Sequence, residues 1–460
     1  MKLKKIASIV LAGAMMASIF AGCSGSTAGS TDGTAKNSAG AASPKSGKSV
    51  TLRIWGGVPP ESGPQKSIDA FNEAFKDKGI QAEYERFVND DTGNLKLETS
   101  LMAGSDVDLY MTYTPALLQK RASGNMALDL SELIAKDKFD VTGIFGEMAK
   151  SYYINGKPYS IPTKLDQYGI VINKTMFDKA GIQVPTEWTF DEFREIAKKL
   201  TQGEGQNKVY GMFWNSQQDM LYPFNYLSVQ TLGGDPLYKA GGKEANITDP
   251  VNVKSIELLN NMMNVDKSSP THTDSVTQKL SQEGMFLAGK CAMTVGPWMV
   301  RSIKDTAQYP HDFVTAFAPY PVVEKGKRQF TQGGYGDHLC INPKSQNIDA
   351  AWTYLKWYAT EGMLPVVSGG RVPAANTYKT DDVTKAFLSG AEKLFDAQST
   401  QKILITPVTN YAVPSVTTKL PEINKILTEE LENIYTGKKT VQEGLDNAQK
   451  RANEQLQKAG

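Results

Sequence analysis

Val50-Thr51-Leu52-Arg53-Ile54-Trp55-Gly56-Gly57 alternates apolar and polar residues and then stops on two glycines. Alternation at period two marks a strand, and the paired glycines mark a tight loop at its end. Downstream, Ile68, Phe71, Ala74 and Phe75 recur at helical spacing, and Gly79 supplies a stop. Ile80, Ala82 and Tyr84 alternate as a second strand. The segment 94–102 has helical character, and Val107, Leu109 and Met111 alternate as a third strand. Strand and helix in alternation predict a layered α/β lobe of βαβ type. In such sheets ligands gather at the carboxyl ends of strands, which directs attention to the loops after Trp55 and Met111.

The same reading extends to the carboxyl terminus. Gly169-Ile170-Val171-Ile172 is apolar without a break, as a strand buried on both faces requires. Thr189-Phe190-Asp191-Glu192 is a capping box, and Phe190, Phe193, Ile196, Ala197 and Leu200 stripe the helix it opens. Ile348, Ala351, Trp352 and Leu355 stripe another helix. Ile423, Ile426, Leu427, Leu431 and Ile434 stripe a third that ends at Gly437, and Thr440-Val441-Gln442-Glu443 caps the last. Trp188, Trp352 and Trp357 fall on helix stripes or caps and are expected in the core.

Composition narrows the function classes. The 460 residues carry 50 Lys and Arg against 49 Asp and Glu, a net charge of +1. With no field of one sign, nucleic acid and anionic membrane surfaces are not expected partners. His272, His311 and His338 form no cluster, so no metal or other cofactor is expected. Cys291 and Cys340 lack metal-ligand spacing; a disulfide between them and two buried thiols are both open.

The amino end has a different character. Met1-Lys2-Leu3-Lys4-Lys5 is basic, 6–20 is an uncharged, mostly apolar run, and Ala21-Gly22 precede Cys23. That order makes a secretory signal over 1–22, too short to be a comfortable spanning helix. Phe20-Ala21-Gly22-Cys23 looks like the lipobox of bacterial lipoproteins, with Phe20 where leucine is usual. The expectation is an acylated Cys23, a flexible Ser/Gly/Ala/Thr/Lys tether over 23–48, and a protein held at the outer face of the cell membrane (periplasmic where an outer membrane exists).

Several segments in order resemble the family-1 extracellular solute-binding proteins of ABC importers, the group that includes the maltose-binding protein. They are 52–57 (Leu-Arg-Ile-Trp-Gly-Gly), 102–108, 173–182 (Asn-Lys-Thr-Met-Phe-Asp-Lys-Ala-Gly-Ile), 185–193, 286–298 and 350–357. The resemblance implies a two-lobed α/β clamp, similar to periplasmic binding proteins of type II, with hinge crossovers between lobes. It implies an amino lobe over 49–162 and 287–345 and a carboxyl lobe over 163–286 and 346–460. A solute would bind in the cleft, and the closed monomer would dock on membrane permease subunits.

A saccharide site needs flat rings to stack on and planar groups matched to hydroxyl pairs. The candidates are Trp55, Tyr113, Trp214, Asn215, Trp298, Tyr335, Asp337 and Arg371, with Lys164 and Asp166 where the resemblance puts the first crossing. Trp298 follows Gly296-Pro297, where the resemblance places a stacking aromatic. Tyr335 and Asp337 lie in Gly333-Gly334-Tyr335-Gly336-Asp337, whose glycines would let a ligand approach the backbone. Each residue has a plainer reading as well: aromatics at strand ends pack cores, Gly and Asp shape turns, and Arg371 can pair with a structural carboxylate. The expected function is capture of a mono- or oligosaccharide for import, without catalysis. The alternatives are a non-sugar solute (a polyamine or phosphorylated metabolite) and a cell-surface glycoside hydrolase. The hydrolase would need a carboxylate pair that the sequence does not display.

Overall fold

The computed structural model describes residues 49–104, 106–296, 299–408 and 410–458. The signal, the tether and Cys23 therefore lie outside the described residues, as does Trp298. Residues 48–460 form one compact unit.

Two mixed sheets organise that unit. The first runs in the order β10-β4-β9-β3-β1-β2, built from Val50–Gly56 (β1), Ile80–Arg86 (β2), Leu109–Thr112 (β3), Ile161–Gln167 (β4), Gly333–Ile341 (β9) and Val372–Pro373 (β10). β2 and β3 lie parallel to β1 on either side of it, while β9 runs antiparallel to both β3 and β4. The second sheet has the order β6-β7-β5-β8, from Tyr210–Phe213 (β6), Cys291–Thr294 (β7), Ile170–Asn173 (β5) and Thr315–Ala318 (β8).

Local signals decide where most elements begin and stop. The helix Pro64–Phe75 passes through a short turn to Gly79, whose φ of 67° is the left-handed stop that glycine adopts without strain. The Thr189 capping box is complete, with the Thr189 side chain accepting from the Glu192 N–H and the Glu192 carboxylate accepting from the Thr189 N–H. Thr440 and Glu443 repeat it at the head of the helix Val441–Gln457.

Both sheets are covered on two faces, which explains their apolar strands. In β5, Ile170 and Ile172 enter one core with Met212, Trp214 and the helices Leu420–Tyr435 and Val441–Gln457. Val171 points the other way, into a core with Leu52, Ile54, Leu109 and the helix Ile348–Thr360. Trp188 and Trp352 are buried as expected, and Trp357 packs on Phe71 at 5.3 Å. Cys291 and Cys340 are free, buried thiols in different sheets.

The lobe boundaries differ from the expected ones. β7 and β8, inside the 287–345 span expected in the amino lobe, both pair with β5 in the second sheet. β10 and the helix Ile348–Thr360, expected in the carboxyl lobe, join the first sheet and its core. A short apolar strand joins whichever sheet leaves its backbone groups unpaired, and that choice has no local signature. Among the described residues no helix is long and apolar enough to cross a membrane.

Candidate functional site

Strand direction assembles the site. β1 and β3 are parallel, so Trp55 and Tyr113 leave the first sheet at the same end. β9 is antiparallel to β3, which brings its amino half, with Tyr335 and Asp337, to that end. β4 runs back along β9, so Lys164 and Asp166 finish there too, just before the chain passes through Tyr168-Gly169 into β5. Arg371 arrives immediately before β10.

Two ion pairs occupy the crossing. Lys164 Nζ lies 2.5 Å from Asp166 Oδ1, and Arg371 Nε donates to Asp337 Oδ2 at 2.8 Å. The side chains of Lys164, Asp166 and Arg371 remain 16–20% exposed. Burial alone would raise the Asp337 carboxyl, yet the charges of Arg371 and Lys164 outweigh it and hold that carboxyl below its ordinary range. Burial likewise works against the Lys164 ammonium, and Asp166 and Asp337 together hold its pKa above the usual lysine value.

Tyr113 and Tyr84 fix the glycine loop after β1. The Gly57 N–H donates to Tyr113 Oη at 2.5 Å, and Tyr84 Oη donates to the Val58 carbonyl at 2.8 Å. A Cβ on Gly56 would stand 2.6 Å from Tyr84 Oη, so the loop needs its glycine for close packing. Trp55 is buried beneath, with Lys96 Nζ 4.7 Å from its ring. The cavity among Trp55, Tyr84, Tyr113, Asp337 and Arg371 measures about 20 Å³, room for a water but no sugar ring. These side chains form the floor of a site and do not enclose one.

The remaining candidates separate from this group. Trp214 is buried in the second core, 5.6 Å from Tyr222 and 5.7 Å from Tyr435, because β6 points it away from the crossing. Asn215 is buried as a turn residue, donating to the Leu280 carbonyl at 3.1 Å and accepting from the N–H groups of Gln217 and Gln218. Tyr335 donates to the Phe145 carbonyl and lines a different cavity of about 350 Å³ with Val372, Ile405 and Tyr411. The glycines of β9 are not spaces for a ligand either. A Cβ on Gly334 would meet Tyr152 Oη at 2.5 Å, and one on Gly336 would meet Asp166 Oδ2 at 2.5 Å. Side chains of the protein fill the room they leave.

The structure adds groups that the sequence reading passed over. Tyr168, two residues beyond Asp166, packs edge-on against Tyr226 at 6.1 Å, and Tyr226 stacks on Tyr222 at 5.0 Å. Tyr226 lies in a π-helical turn, Pro223–Ser228, and Tyr168 and Tyr226 are both only half-buried. Asp166 is near enough to both phenols to act on them electrostatically. Burial raises the nearby Asp219 carboxyl to about 6. Arg301 lies within electrostatic range of Arg371, Asp337 and Arg86. The i, i+4 spacing of Tyr222 and Tyr226 was a signal available in the sequence; the approach of Arg86 and Arg301 was not. Among the described residues no group of His, Cys, Asp and Glu is placed to hold a metal.

Comparison with known proteins bears on the fold and the family. A Brucella abortus protein named as a binding protein is 26% identical over 284 residues, 59% of this chain; the match spans 65% of that relative's length. The sn-glycerol-3-phosphate-binding periplasmic protein of Escherichia coli K12 is 25% identical over 447 residues, 89% of this chain and 93% of that protein. Among solved structures, a sugar transporter of Rhizobium etli in an open conformation superposes with a TM-score of 0.70 at 22% identity, over 87% of this chain and 98% of that one. The fold is thus the two-lobed clamp of solute-binding proteins. The model of the bacterial extracellular solute-binding proteins matches residues 59–364, and the chain belongs to that family.

Proposed function

We propose that this protein captures a carbohydrate between its two sheets and hands it to the permease of an ABC importer, without chemical turnover. The observation that carries the reading is the meeting, at one crossing, of Lys164, Asp166, Asp337 and Arg371 with the half-buried rings of Tyr168 and Tyr226. Planar charged groups suit pairs of hydroxyls, and phenol rings suit the apolar face of a sugar. The name of the Rhizobium relative supports a sugar. The ligand would lie above the floor formed by Trp55 and Tyr113, with Trp298 proposed as a further stacking ring. The same reading gives 1–22 as a signal, Cys23 as the lipid-bearing residue, 23–48 as a tether, and the outer face of the cell membrane as the working place of a monomer.

Intrinsic tryptophan fluorescence titrated with a panel of mono- and oligosaccharides tests the assignment. Because one relative is named for a phosphorylated polyol, the panel includes sn-glycerol 3-phosphate and a polyamine. A saturable response to a saccharide, with the saccharide recovered intact, is the expected result. No response to any saccharide overturns the sugar assignment, and recovery of cleaved sugar overturns the absence of turnover.

A further inference from the structure

Three guanidinium groups gather at the floor of this site: Arg371 is bonded to Asp337, and Arg301 lies within electrostatic reach of Arg371, Arg86 and Asp337. Arg86 ends β2 in register with Gly56, and Gly56 packs against Tyr84, which borders the same small cavity as Asp337 and Arg371. Arg301 lies on the short helix Val300–Lys304. A Cβ on Gly370 would stand 3.5 Å from Val300 Cβ, so Arg371 and Arg301 follow directly on touching segments. The charges acting on Arg301 are Arg371 and Arg86, which oppose its own, and Asp337. Asp337 is already engaged by Arg371 at 2.8 Å, and Asp166 by Lys164 at 2.5 Å. Neither Arg86 nor Arg301 makes an ion pair with another described residue.

Four cations thus face two carboxylates, and both carboxylates are spent within the site. Like charges gathered at one site repel one another, and an anion entering among them relieves that repulsion. A neutral sugar leaves that excess in place, and a polyamine adds to it. Guanidinium forks match the two oxygens of a carboxylate or phosphate. We propose that the captured saccharide carries an anionic group, a carboxylate or a phosphate, seated among Arg86, Arg301 and Arg371. This rests on the carbohydrate reading above and sharpens its substrate class.

Calorimetric titration of the purified protein with matched triplets tests it: galactose, galacturonate and galactose 1-phosphate, and the neutral and acidic trisaccharides. The expected result is an acidic member binding about tenfold or more tightly than its neutral partner, as a charge-assisted contact implies. That preference should shrink as NaCl rises from about 0.05 to 0.5 M. Arg301→Gln and Arg86→Gln should bring the acid-to-neutral affinity ratio toward one, while Lys198→Gln, on a helix of the second core, should leave it unchanged. Thermal melts check that each variant folds, and both arginine side chains are exposed. Preference for the uronate assigns the carboxylate, and preference for the sugar phosphate assigns the phosphate. Neutral saccharides that bind as tightly as acidic ones overturn this inference and leave the carbohydrate reading standing. Binding of inorganic phosphate with no saccharide bound supports the arginine site and overturns the carbohydrate reading.

Discussion

Asp337 occupies the left-handed backbone region, φ 47°, inside β9, with its carboxylate buried against Arg371. A non-glycine residue there costs free energy that its surroundings must offset, and such residues concentrate at functional sites. The next residue, His338, is fully buried; its ring lies 4.8 Å from that of Tyr152, and its Nε2 has no hydrogen-bond partner among the described residues. Burial, only partly opposed by the Tyr335 backbone and Asp337, lowers its pKa from 6.5 to about 4. The native state therefore holds the neutral ring while the unfolded chain protonates near 6.5. The associated stability is present above pH 6.5 and is lost as pH falls toward 4, by roughly 3 kcal/mol over that window. Chemical unfolding at a series of pH values should show this slope in the wild type and a flatter one in His338→Phe. Equal slopes would mean that His338 is not the group responsible.

At the scale of elements, β9 shows how a sequence pattern misleads when its partners are unknown. Its glycine run suggests access for a ligand, yet Gly334 and Gly336 answer to the side chains of Tyr152 and Asp166, and Gly333 to the Asp166 carbonyl. Gly336→Ala would place a methyl 2.5 Å from Asp166 Oδ2 and push that carboxylate off Lys164. Ligand affinity should fall about tenfold, with a stability loss of about 1 kcal/mol, read by titration and thermal unfolding. Unchanged affinity would show that the Lys164–Asp166 pair takes no part in binding. The elements with local signals behaved differently. The capping boxes at Thr189 and Thr440, the stop at Gly79 and the stripe of the helix Leu420–Tyr435 appear where the sequence puts them, because each is decided within a few helical turns.

For the whole molecule, two sheets joined through Tyr168-Gly169 and later crossings make a body whose proposed ligand groups lie at the first of those crossings. A clamp that hands its solute to a permease, as proposed, needs a way to stay near it. The tether and a lipid at Cys23 supply one in our proposal, because buried acyl chains hold a protein at a membrane surface. Cys23→Ala should move the protein from the membrane fraction to the medium, with ligand affinity unchanged, as immunoblots of cell fractions and titration of the released protein would show. Retention at the membrane would count against the anchor; lost affinity would count against a tether that takes no part in binding.

The amino-acid sequence by itself determined the α/β class, the helix ends marked by Gly79, Thr189, Gly437 and Thr440, the burial of Trp188 and Trp352 and, through ordered segments from Leu52 to Trp357, the family. These properties rest on periodicity, caps and glycine stops that act over a few residues, and on motifs read in line. It also named Lys164, Asp166, Asp337 and Arg371, though as four separate bets. Only the tertiary structure decided that these four form two ion pairs, that Arg86, Arg301, Tyr168 and Tyr226 join them, and that Trp214, Asn215 and Tyr335 do not. It likewise decided that β7 and β8 join the second sheet and β10 the first. Strand pairing and charge convergence depend on which distant segments satisfy one another's backbone groups and fill one another's space. No window of sequence contains both halves of such a contact.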